Sequence, residues 1–186
     1  MSTNIFLTEG GVAGHMSHLY DNGDLTFAEI RDVFQKASNG ELKGTEKTDG
    51  QNLFVSYSIK DGKAKAARNK TNITSGGLSA AELADKFAGR GNLEKSFTEA
   101  FTAFEQGVES LPKSIQKRLF GADADIYYNA EVMDPRSPNV VCYDKKSLVI
   151  HQVGHAAYNK ETGEKLDIDL KDNVKLLKGV IKKIQK

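Results

Sequence analysis

Hydrophobic and polar positions change their period several times along the chain. After a glycine-rich opening, "TEGGVAGHMSHLYDNGDL", the residues Leu25, Phe27, Ile30, Val33 and Phe34 recur at helical spacing. This predicts a helix over Thr26 to Ala37, with Thr26 capping its start and "SNGEL" ending it. The pattern then becomes that of strands. "NLFVSYSI" is rich in β-branched and aromatic residues, "KDGK" is an Asp-Gly turn, and "AKAARNKTN" reads as the returning strand. A hairpin is expected, with "EKTDGQ" at the edge of its sheet.

From "GGLSAAELADKFAG" through "NLEKSFTEAFTAFEQGVESLP" to "SIQKRLFG", apolar residues return every three or four positions between glycine and proline breaks, which predicts three helical segments. "ADIYYNAEVMDP" and "SLVIHQVGHAAY" read as two further strands joined by "RSPNVVCYDKK", and "KETGEK" as a turn. The last stretch places Val174, Leu177, Ile181 and Ile184 on one face with lysines elsewhere, an amphipathic helix over residues 168–186. Strands flanking a helical insertion predict an α+β fold. With 186 residues and 39% apolar content, one core is expected, in a single domain spanning residues 1–186.

Charge narrows the partners. Lys and Arg number 26 against 25 Asp and Glu, a net charge of +1, so no global field draws the chain to nucleic acid or to a membrane surface, and any polyanion must be met by a local patch. No apolar run approaches the roughly 20 residues that span a bilayer. Cys142 is the single cysteine and the opening lacks the charged flank and apolar core of a secretory signal, so a reducing, cytoplasmic setting is expected. Cys142 itself reads as a small buried side chain. His15, His18 and His155 follow no metal-ligand spacing.

The chemistry concentrates in "EKTDGQN", directly ahead of the first strand. A lysine has a reference pKa near 10.4, and partial desolvation or a neighbouring cation lowers it enough to expose the lone pair; Lys47 is a candidate nucleophile on that ground. Asp49 can hold an ammonium or polarise a bound sugar, and Gly50 lets backbone approach a ligand closely. Taken alone, the same residues also make a charged β-turn with a solvated lysine.

"EKTDGQN" resembles motif I of the covalent nucleotidyltransferases, the superfamily of ATP-dependent RNA and DNA ligases and mRNA capping enzymes, and its Asn is closer to the RNA ligase branch. The resemblance implies a ligase-type, ATP-grasp-like fold of antiparallel sheets with a helical insertion. It implies that Lys47 attacks the α-phosphate of ATP, with Mg²⁺ on the phosphates, to form a lysyl-adenylate. The AMP would then pass to the 5′-phosphate end of RNA or DNA. Glu46, Asp49, Gly50 and Asn52 would then belong to the nucleotide site. Arg68 in "AARNKTN" falls where the family sets an arginine near ribose and phosphates. Glu131 in "YYNAEVMDP" resembles motif III, a strand-borne glutamate that accepts a hydrogen bond from the ribose hydroxyl.

His151 in "SLVIHQVG" falls at motif IIIa, where a flat ring lies on the purine; a core histidine bonded internally explains the position equally well. The resemblance covers about residues 40–155. The family's motif IV, a glutamate-glycine strand, and motif V, paired lysines on a strand, are not found, since Lys175 and Lys178 sit in a helical pattern. Two readings therefore stand beside the enzyme: a nucleotide-binding relic, and a module for a protein or nucleic-acid partner. A compact ligase-like chain is expected from a bacterium or a phage-infected host.

Overall fold

The computed structural model describes residues 23–42, 48–121, 123–151 and 154–184, with side chains to Ile181. They fall into two units, Met1–Thr48 and Asp49–Lys186. Lys47 and Glu46 lie outside the described residues, as do His15 and His18.

In the first unit, α1 covers Phe27–Ser38. Thr26 starts it as the sequence predicts, and Glu29 completes a capping box: the Glu29 amide donates to Thr26 Oγ1 at 3.3 Å while the Thr26 amide donates to Glu29 Oε2 at 2.8 Å. Two backbone donors with no partner inside the helix are thereby satisfied.

The second unit is α+β. Its strands β1 (Gln51–Ser58), β2 (Lys63–Ala67), β3 (Ala124–Met133), β4 (Ser147–Ile150), β5 (Ala156–Asn159) and β6 (Lys165–Leu166) form one open antiparallel sheet, ordered β2-β1-β3-β5-β6 with β4 also on β3. β1 and β2 make the expected hairpin, although the end of the predicted return strand becomes a short helix, α2 (Lys70–Thr74). The three predicted helical segments are α3 (Ala80–Phe87), α4 (Asn92–Glu109) and α5 (Lys113–Phe120), and α6 (Lys171–Ile184) is the terminal helix. α6 buries Val174, Leu177 and Ile181, whereas the Ile184 side chain lies outside those described.

Helices α3 to α6 cover one face of the sheet. Phe97, Phe101, Phe104 and Val108 recur along α4 at helical spacing and are buried against Leu53, Val55 and Tyr57 of β1 and Ile126, Tyr128 and Val132 of β3. Buried Gln116 ties α5 to the end of α4 by donating to the carbonyls of Val108 at 2.9 Å and Leu111 at 3.1 Å. Because strand side chains alternate, the neighbours Asn52, Phe54 and Ser56 of β1 and Tyr127, Asn129 and Glu131 of β3 belong to the opposite face.

"SLVIHQVGHAAY" corrects the sequence reading, being two strands rather than one. β4 pairs with Ala130–Met133 and β5 with Ala124–Tyr127 along the same edge of β3. Between them the ladder slips at Asn129, whose carbonyl accepts from the His151 amide at 3.0 Å. Its own amide donates to the imidazole Nδ1 of His155, also at 3.0 Å. A side chain thus replaces the missing backbone acceptor.

Candidate functional site

The register brings several of the sequence candidates together. Asn52 stands directly opposite Glu131 in the β1–β3 ladder, and Glu131 opposite Val149 on β4. One position past β4, His151 lies alongside Asn129. Cross-strand partners share a face, so Asn52, Asn129, Glu131 and His151 form one polar cluster on the side of the sheet away from α3 to α6. Asn52 Nδ2 donates to Asn129 Oδ1 at 2.6 Å, and the Glu131 carboxylate lies 3.4 Å from His151 Nε2. The His151 side chain is 30% exposed and that of Glu131 13%. The ring edge is thus engaged by a carboxylate while part of the ring stays open to a ligand.

Asn129 is the member that motif matching passes over. The signal was present, because "NAE" puts it two residues before Glu131 and hence on the same face.

Asp49 and Gly50 behave differently from the sequence expectation. A Cβ on Gly50 would fall 2.5 Å from the Val132 carbonyl oxygen and 2.9 Å from Glu131 Cγ. The close approach that needs glycine is made to strand β3. The Asp49 carboxylate accepts from Asn139 Nδ2 at 2.8 Å and from the amides of Val140 at 2.6 Å and Val141 at 2.5 Å. Its own amide donates to the Tyr143 hydroxyl at 3.0 Å. Asp49 therefore clasps the loop between β3 and β4. Cys142, on that loop, is exposed rather than buried.

Arg68 is not part of the polar cluster. It follows Ala64 and Ala66, which face the helices, and its guanidinium lies 4.9 Å from the Phe97 ring centre and 5.7 Å from that of Phe87. Those two rings stack at 4.3 Å. Nη1 donates to the backbone carbonyl of Asn52. Burial, and after it the Arg90 charge, lowers the Arg68 pKa from its ordinary value. Arg68 thus supports β1 from the helical side.

The loop clasped by Asp49 is also fixed at its other end. Arg136 bridges Asp134, at 2.5 Å from Nη2, and Glu99 of α4, at 2.7 Å, with Lys146 reaching the same Glu99 at 2.8 Å. The Arg136 hydrogen bonds hold the Asp134 carboxyl down at about 2. Ser96 and Ser137 share a hydrogen bond of 2.7 Å, and Asn92 Nδ2 donates to the Arg136 carbonyl at 3.0 Å.

A cavity of about 230 Å³ opens beside this network on the helical side, lined by Ala100, Ala103, Phe104, Val132, Leu148 and Ile181. It lies on the face opposite the polar cluster, and Glu99 and Lys146 on its rim are paired with each other.

Among the described residues no group of three or more His, Cys, Asp or Glu is placed to hold a metal ion, and no helix is long and apolar enough to cross a membrane. No family model, curated protein or solved structure matches the chain.

Proposed function

We propose that the chain is an ATP-dependent adenylyltransferase of the polynucleotide-ligase type, built on a ligase-type nucleotidyltransferase fold. The observation that carries this reading is the convergence of Asn52, Asn129, Glu131 and His151 on one sheet face, on and beside the strand that follows the Lys47–Gly50 motif. The deprotonated Lys47 amine attacks the α-phosphorus of ATP. The bond to the bridging oxygen breaks, pyrophosphate leaves with the electron pair, and a lysyl-adenylate remains. A 5′-phosphate oxygen of RNA or DNA then attacks the same phosphorus, and the P–N bond breaks to restore the lysine.

In this reading Glu131 accepts a hydrogen bond from the ribose, and His151 lays its ring beside the purine. Arg68 acts through β1, whose Asn52 carbonyl it holds, rather than on the phosphates. Mg²⁺ enters on the phosphates of ATP as part of the substrate, the usual way such sites acquire it.

Incubation with α-labelled ATP and Mg²⁺ tests the proposal. A label that survives denaturation is expected, and Lys47→Ala and Lys47→Arg should both lose it, since a guanidinium keeps its proton and cannot attack. Persistent labelling of Lys47→Ala overturns the assignment. A second reading is that the same polar cluster binds nucleotide reversibly, with no covalent step. ATP binding without covalent label selects it.

A further inference from the structure

Asn52 and Asn129 meet through their side-chain amides on the face of the sheet away from α3 to α6. Asn52 Nδ2 donates to Asn129 Oδ1 at 2.6 Å and reaches the Ala130 carbonyl at 3.4 Å. An amide side chain carries one carbonyl oxygen and one NH₂ group. Once these two are joined, Asn129 Nδ2 and Asn52 Oδ1 are left, and among the described residues neither takes part in a hydrogen bond. One donor thus stands beside one acceptor. Exchanging oxygen and nitrogen in both amides would leave the same pattern. Asn129 is only 6% exposed, and its backbone is held on both sides, the amide by His155 Nδ1 and the carbonyl by the His151 amide. A nearly buried amide with donor capacity unused carries a desolvation cost, which a ligand of matching pattern would recover.

We infer that this amide pair reads the 6-amino edge of adenine, so that Asn52 and Asn129 determine which nucleotide the site accepts. The inference rests on the proposed function, because it takes the ligand to be a nucleoside triphosphate on this face. Adenine sets its N6 donor next to a ring-nitrogen acceptor, the pattern that asparagine amides recognise. The Asn52 oxygen accepts from N6, and the Asn129 nitrogen donates to the ring nitrogen. Hypoxanthine, with oxygen at C6 and a proton on N1, offers no donor at C6. Position agrees with pattern. The bond from the His151 amide to the Asn129 carbonyl makes the two residues cross-strand neighbours, and such neighbours lie about 5 Å apart at Cβ. A purine beside the His151 ring therefore brings its edge to the amides, and Glu131 is left to the sugar.

The test uses the full chain and the dissociation constants for ATP and inosine triphosphate, which share sugar and charge and differ only at C6 and N1. The wild type should bind ATP about 10- to 100-fold more tightly, the range that one good bidentate base contact gives. Asn129→Asp keeps an oxygen for Asn52 and removes the outward donor; Asn52→Ala removes the outward acceptor. Each should bring the ratio of the two constants toward one, whereas Glu131→Ala should weaken both ligands alike and keep the ratio. The ratio is insensitive to partial unfolding, because both ligands meet the same folded fraction. Equal binding of the two nucleotides by the wild type, or an undiminished preference in both asparagine variants, overturns the inference. Should neither variant fold, purine riboside triphosphate, which lacks the C6 amine, takes their place: binding as weak as that of inosine triphosphate supports the inference, and binding equal to that of ATP overturns it. The covalent label is read separately. Label on Lys47 with no preference for ATP refutes the amide pair and leaves the proposed reaction standing. A preference that depends on Asn52 and Asn129, without label, refutes the reaction and leaves the pair standing. A chain that binds neither nucleotide refutes both.

Discussion

At the scale of single residues, the motif region divides its labour more sharply than its sequence implies. "KTDG" reads as one ligand-facing unit, yet the structure turns Asp49 toward a loop and Gly50 toward β3. Neither assignment is legible without the fold, because Asp49 meets residues about 90 positions further on and Gly50 meets a strand about 80 positions further on. Arg68 is a similar case. Its face depends on the hairpin register, Phe54 opposite Ala67, and a slip of one residue would have sent it to the polar side. Gly50 yields a direct prediction. Gly50→Ala puts a carbon within 2.5 Å of the Val132 carbonyl oxygen, a backbone atom with no freedom to withdraw, so overpacking should cost about 1–3 kcal/mol. The unfolding free energy should fall by that amount, and ATP affinity should fall with it as the β1 end moves away from Glu131.

At the scale of elements, what the sequence predicted best was what local patterning controls. The strands β1 and β3, the apolar stripe of α4 and the amphipathic α6 all follow from period and residue type. The break between β4 and β5 does not, because "SLVIHQVGHAAY" keeps a strand-like composition throughout. Only Gly154, at φ 79°, marks the place where the backbone leaves the ladder. His155 repairs that break, so His155→Ala should strand the Asn129 amide and destabilise the unit by about 1–3 kcal/mol. Amide exchange at Asn129 should accelerate, while His155→Asn, which restores an acceptor, should recover part of the loss.

The β3–β4 loop carries a second element-scale prediction, one of pH. Its Asp134 carboxyl is held at about 2 by Arg136, below its usual value of 3.8. A carboxyl depressed in the folded state stabilises fully above its unfolded pKa. That contribution is lost as pH falls through the window from roughly 4 to 2, where the unfolded chain binds the proton and the folded carboxyl still does not. Acid melting of the wild type should therefore steepen below pH 4. Asp134→Asn should be less stable at neutral pH and flatter across the same window, and a mutant curve parallel to the wild type would count against the pair.

For the molecule as a whole, consequence follows from the sheet in Asp49–Lys186 having two different faces. One is sealed by α3 to α6, with Leu53, Val55, Tyr128, Phe101 and Leu177 at its centre; the other carries the polar cluster of Asn52, Asn129, Glu131 and His151. Phe54 and Tyr127 are buried on the polar side as well, but under the proposed function the nucleotide contacts fall on that side alone, often next in sequence to core residues, so affinity and stability should separate on mutation. Leu177 is fully buried on α6, so Leu177→Ala should cost about 2–5 kcal/mol of unfolding free energy. At temperatures where the variant remains folded, its affinity for ATP should match the wild type. Glu131→Ala should do the reverse, keeping the denaturant midpoint nearly unchanged while weakening ATP binding by about 1–3 kcal/mol through the loss of a hydrogen bond to a charged group. Measuring both quantities on both variants yields four numbers. If Leu177→Ala loses nucleotide affinity in the folded state, or Glu131→Ala loses stability and no affinity, the polar face serves the fold and the nucleotide must be sought elsewhere.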